Sequence, residues 1–153
     1  MAYVINKVNK KYNIIPMYVP MHPNDSNILR EIANKSNTEH VFLSKVYDVK
    51  KLLSIISISK LTISMRLHTL IYSVSSNLPV IGLVYDPKVK FFIEYINQDT
   101  FIDTSNMDVE KLLSMIENIL INYEEVKEEI LKESLRLKAL ARNDAKVVIK
   151  LLE

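Results

Sequence analysis

The chain has 153 residues, 48% of them hydrophobic and 25% charged, which is the size and composition of one soluble globular domain. With 20 basic against 18 acidic residues the formal net charge is +2, so charge alone selects neither nucleic acid nor a membrane surface as partner. A single glycine excludes the Gly-rich phosphate loops, and the lack of cysteine excludes disulfide scaffolds, thiol nucleophiles and Cys-ligated zinc.

The N-terminal stretch MAYVINKVNKKYN carries charges where a signal peptide has an apolar core, and no apolar run reaches the ~18–20 residues that span a bilayer. The cytoplasm is the expected location, and the bias toward Ile, Asn and Lys suggests a bacterial source. Val4, Ile5, Val8 and Tyr12 share one face of a helix over residues 3–12. A first strand follows at Ile14–Pro20 and stops at His22-Pro23. Asn24-Asp25-Ser26 offers cap side chains for a helix carrying Ile28, Leu29, Ile32 and Ala33. A short second strand spans His40–Leu43. Asp48 caps the helix that holds Val49, Leu52, Leu53 and Ile56. The third strand is Leu61–Met65 and the fourth Pro79–Tyr85, with a nearly all-apolar helix between them. Pro87 opens the next helix. The fifth strand covers 101–104, and Asp108 caps a helix over 109–121. A long amphipathic helix spans about 123–152, with a bend expected near Asn143-Asp144, and its Glu/Lys-rich stretch 124–133 reads as a solvated face.

Strands alternating with helices predict an α/β fold, a Rossmann-like parallel sheet of about five strands with helices on both faces, in the order 2-1-3-4-5. In such sheets ligands bind beyond the C-terminal ends of the strands. That edge collects Met21-His22-Pro23-Asn24-Asp25, Met65-Arg66-Leu67-His68 and Tyr85-Asp86-Pro87-Lys88. Arg66 supplies a planar fork for carboxylate or phosphate, and His68 can donate or accept a proton. Lys88 occupies the same place one unit later, so the three cations suit a small polyanion, with help from the helix N-terminus at Arg66. The structural alternatives are an Arg66–Asp86 pair that ties two loops together, an interior His68, and a His22 that only supports its loop. The histidines lack metal-ligand spacing, so no metal is expected, and no G-x-S-x-G elbow supports a serine triad.

Residues 64–93, SMRLHTLIYSVSSNLPVIGLVYDPKVKFFI, resemble the signature of the polysaccharide pyruvyl transferase family: an R-L-H element, a helix, then a strand closing in Y-D-P-K-V. Here these are Arg66-Leu67-His68 and Tyr85-Asp86-Pro87-Lys88-Val89. The upstream MYVPMHPNDSNI resembles the family's strand and acidic loop, with Asp25 as the acid. The resemblance implies the C-terminal half of a GT-B-like fold and transfer of a pyruvyl group from phosphoenolpyruvate to a sugar of a cell-wall or exopolysaccharide, forming a ketal. It implies His68 as the catalytic residue, and Arg66, Lys88, Tyr85, Asp86, His22 and Asp25 around the donor. Phosphoenolpyruvate is then a substrate, and no cofactor is expected. Family members are about twice as long, so residues 1–153 would form one α/β domain of a two-domain enzyme whose N-terminal domain is its partner. In complete members the first helix follows a strand that lies between strands one and three. Without it the chain is open to self-association.

Two other readings compete. The C-terminal half of a GT-B nucleotide-sugar glycosyltransferase or epimerase shares the architecture, but the missing Gly-rich diphosphate loop argues against it. A non-catalytic flavodoxin-like interaction domain of the response-regulator type would place an acidic cluster after strand one, where Asp25 stands alone.

Overall fold

A computed structural model describes residues 1–152. The elements follow in strict alternation: α1 (Ala2–Tyr12), β1 (Met17–Tyr18), α2 (Asp25–Lys35), β2 (Val41–Phe42), α3 (Val49–Ser57), β3 (Thr62–Ser64), α4 (Leu67–Ser75), β4 (Val80–Val84), α5 (Pro87–Tyr95), β5 (Phe101–Asp103), α6 (Val109–Ile121) and α7 (Tyr123–Leu152). Every expected strand is present but shorter than its apolar run. Only the residues whose backbone groups find a neighbour count as strand.

All strand pairs are parallel. They form two sheets, β1-β2 and β3-β4-β5. The expected order 2-1-3-4-5 holds within each piece, and β1 and β3 share no ladder, at the place where a further strand was expected to be missing. Side chains alternate across β4 and build two cores. Val80 and Val84 face α4 and α5 in a cluster with Leu70, Val74, Val89, Ile93, Ile96 and Ile130. Ile81 faces the other way, with Ile102, Val4 of α1 and Leu112, Ile116 and Ile119 of α6. Gly82 is needed between them, because a Cβ there would stand 3.0 Å from the Val89 and Ile93 side chains of α5.

Side-chain caps start three helices, α3, α5 and α6, the first and last at the residues expected. Asp48 accepts from the Lys51 N–H at 3.1 Å, Asp108 from Lys111 at 2.9 Å and Asp86 from Lys88 at 3.0 Å. Pro87 takes the first turn of α5. At α2 the expectation of a side-chain cap is not met: Asn24 precedes the helix without capping it, and Asp25 is engaged elsewhere. α7 is one unbroken helix through Asn143-Asp144, so the expected bend is absent. Its inner half crosses the N-terminal edge of the sheet. Arg136 donates to the carbonyl of Tyr95 at the end of α5, and Lys138 donates to that of Ser75 at the end of α4. From Lys138 to Leu151 every residue is exposed. No helix among the described residues is long and apolar enough to cross a membrane.

Candidate functional site

The C-terminal edge of the sheet gathers the residues singled out from the sequence. β3 ends at Ser64, and the chain turns so that Arg66, in extended conformation, precedes α4. The turn is fixed by the Ser64 hydroxyl, which accepts from the Arg66 N–H at 3.0 Å. No side chain caps α4 among the described residues, so its first-turn N–H groups point free at this edge. β4 runs beside β3 in register, Ser64 opposite Gly82, which brings the Tyr85-Asp86-Pro87-Lys88 turn alongside Arg66.

Arg66 pairs with Asp25 from the loop after β1, not with Asp86. Asp25 also accepts the N–H groups of Met21 at 3.2 Å and His22 at 3.0 Å. Burial pushes the Asp25 carboxyl up, but Arg66 and these two amides outweigh it and hold the pKa below the ordinary aspartate range. Asp86 pairs with Lys88 at 3.0 Å. The Lys88 amide and ammonium together lower the Asp86 pKa, and the Asp86 carboxylate raises that of Lys88. The Tyr85 phenol stands beside both cations. It adds to the elevated pKa of Arg66, after Asp25, and to that of Lys88, after Asp86. The Lys88 ammonium also lies 5.8 Å from the Tyr85 ring centre.

Two ion pairs, Arg66–Asp25 and Lys88–Asp86, thus stand at this edge, with the Tyr85 ring beside Lys88. Of the three cations expected at this edge, Arg66 and Lys88 each pair with a carboxylate. His68 is exposed on the outer side of the first turn of α4, its ring 6.3 Å from that of Tyr72. The structure records no bond from it to the other candidates, but it is not an interior histidine. His22 is exposed too, its Nδ1 accepting from the Asn24 N–H at 3.2 Å within its own loop. Two side chains escaped the sequence reading. Ser64 sets the Arg66 turn, and Thr69, beside His68, has a buried hydroxyl without a partner. The Ser two places before the Arg at a strand end was the available signal for the first.

The loops form a rim at which the Arg66, Asp86 and Lys88 side chains are 41%, 36% and 51% exposed. Away from it lie a concavity of about 330 Å³ beside α3 and one of about 690 Å³ between α1 and α6. No group of three His, Cys, Asp or Glu among the described residues could hold a metal ion.

Residues 1–87 match the family model described as polysaccharide pyruvyl transferase. The chain belongs to that family. The matched segment takes in Asp25, Arg66-Leu67-His68 and Tyr85-Asp86-Pro87, so the ion pair that joins the β1 and β3 loops falls inside it; Lys88 lies one residue beyond. No curated protein and no solved structure matches this polysaccharide pyruvyl transferase family member.

Proposed function

We propose that this family member is the C-terminal part of an enzyme that moves a pyruvyl group from phosphoenolpyruvate to two hydroxyls of a glycan, forming a ketal. The reading is carried by one observation: Arg66, Tyr85 and Lys88 stand at the neighbouring ends of β3 and β4, beside the uncapped α4 N-terminus, within and just past the family-matched segment. Phosphoenolpyruvate carries a carboxylate and a phosphate on one carbon. Arg66 would receive the carboxylate as a bidentate fork, with Asp25 fixing its orientation. Lys88 would balance the phosphate, exchanging Asp86 for it. His68 would donate a proton to the departing phosphate or hold it as a cation.

The chemistry balances without a redox partner. The methylene carbon takes a proton, and one sugar hydroxyl adds at the cationic carbon and loses its own proton. The C–O bond to phosphate then breaks with its electron pair, and the second hydroxyl adds and releases a proton to phosphate. The products are the ketal and inorganic phosphate.

An open rim leaves the ion pairs in water, where charge interactions are several-fold weaker than in a closed site. Residues 1–153 alone are therefore expected to bind phosphoenolpyruvate weakly and to transfer nothing, because closure by an N-terminal half excludes water and completes the site. Calorimetric titration with phosphoenolpyruvate, then an assay with a pyruvylatable glycan, checks both statements. Robust transfer by this chain alone would overturn the two-half reading. In the two-half enzyme, His68→Ala is expected to lower kcat by about 100-fold or more with the fold intact. Unchanged turnover would remove His68 from the mechanism.

A further inference from the structure

The outward face of α7 has an ordered sequence. At 3.6 residues per turn, Glu124, Glu128, Leu131, Leu135, Ala139, Arg142 and Lys146 all fall within about 40° of one line along the helix. All are exposed, Leu131 by 39% and Leu135 by 57%. The opposite side of α7 is the anchored one: Ile130 and Ser134 are buried there, and Leu137 packs against the core. The line therefore faces away from the domain.

Its charges are unsatisfied within the chain. Like charges stand four residues apart at each end, Glu124 with Glu128 and Arg142 with Lys146, an arrangement that destabilises a helix left on its own. None of the four has an ion-pair partner among the described residues. Between the charged ends, two leucines lie open to water.

The order along the line is the same from either end, with the charges reversed. When a second copy is set antiparallel, Leu135 opposite Leu135, Glu128 meets Arg142, Glu124 meets Lys146 and Leu131 meets Ala139. The two-fold makes each of these contacts twice. Ala139 is small enough to leave room for Leu131. Lys132 and Lys138 stand equally far from Leu135, but about 60° off the line and on opposite flanks, so they do not meet. Lys138 is held by the Ser75 carbonyl of its own chain. A parallel pair would instead set Glu on Glu and Arg on Arg.

We propose that this face of α7 recognises a second copy of the chain, forming an antiparallel two-fold dimer centred on Leu135. From Glu124 to Lys146 the strip is about 33 Å long and about 10 Å wide. That is smaller than a standard stable interface, so the dimer is weak and reversible, with a Kd of about 10–100 µM. Its ion pairs are exposed, so salt weakens it.

Sedimentation equilibrium of the intact chain at about 50 mM salt is expected to show monomer and dimer in exchange, and about 500 mM salt to raise Kd by about tenfold or more. Glu128→Arg and Arg142→Glu are each expected to weaken self-association by about tenfold or more. An equimolar mixture of the two variants is expected to pair again, because each supplies the charge the other lacks. The chain has no native cysteine, so Leu135→Cys is expected to form an intermolecular disulfide on mild oxidation, with its two Cα atoms within the roughly 7 Å a disulfide allows. Val148→Cys, on the far side of the helix, is expected to form none. A chain still monomeric at about 1 mM, a dimer indifferent to salt and to both charge variants, or a mixture no tighter than its parts would each overturn the dimer. Attachment to anionic vesicles without self-association would do the same and give the face to a membrane. The salt series uses the unsubstituted chain and stands if a variant misfolds.

Discussion

Asp25 collects donors from two directions: the amides of Met21 and His22 from its own loop and the guanidinium of Arg66 from beyond the break in the sheet. Its side chain is 15% exposed and that of Arg66 41%, so the pair is screened on one side only. Replacing Asp25 by Asn keeps acceptors for the amides and removes the charge. A loss of about 1–2 kcal/mol at pH 7 is expected by chemical denaturation. The sign with pH follows from the lowered pKa. The pair's contribution is present above the unfolded carboxyl's value, roughly 3.9, and is lost as pH falls through the lower folded value. The wild-type chain should therefore lose stability below about pH 4 more steeply than Asp25→Asn, which lacks that titration. Parallel acid limbs for the two proteins would show that Asp25 does not contribute. Arg66's choice of Asp25 over Asp86 could not be read from sequence, because both acids lie in loops at the same sheet edge and only the third dimension separates them.

At the scale of elements, β4 and α5 meet most closely at Gly82, where an added Cβ would have to displace the Val89 and Ile93 side chains. Gly82→Val is expected to cost about 1–3 kcal/mol by overpacking, read as a lower denaturation midpoint with an unchanged slope. A midpoint within experimental error of wild type would show that α5 can shift outward at no cost. All five strands, the caps Asp48 and Asp108 and the opening Pro87 were legible, because each follows from local periodicity or from a side chain bonding a nearby amide; Asp86 as the cap of α5 was not foreseen. Strand ends were not: Ile14, Ile15 and Val19 are apolar, yet only Met17 and Tyr18 find ladder partners. The split of the sheet was expected only through the resemblance, as a strand missing between strands one and three; local periodicity does not show it, since pairing between β1 and β3 depends on groups more than forty residues apart. For the site, the loops and residue types were legible, whereas the pairing of each cation with a carboxylate was not.

Over the whole molecule, α7 divides into a half that closes the N-terminal edge of the sheet and an outer half that is exposed. Ile130 is in the core and Lys138 reaches Ser75, but every residue from Ala139 to Leu151 is exposed. Deleting the chain after Lys138 removes no buried residue among those described, so the unfolding free energy of the monomer should change by no more than about 0.5 kcal/mol. A larger loss would mean that the outer half is covered in solution. In the monomer, the anchored half acts as a ready-made nucleus and leaves the outer half to propagate or fray residue by residue. Alanines at 139, 141 and 145 favour coiling onward, and the β-branched run Val147-Val148-Ile149 opposes it. Warming should then unwind the tail gradually from its tip, seen as a sloping far-ultraviolet dichroism baseline well below the cooperative melt. Val147→Ala with Val148→Ala should flatten that slope without moving the melt itself.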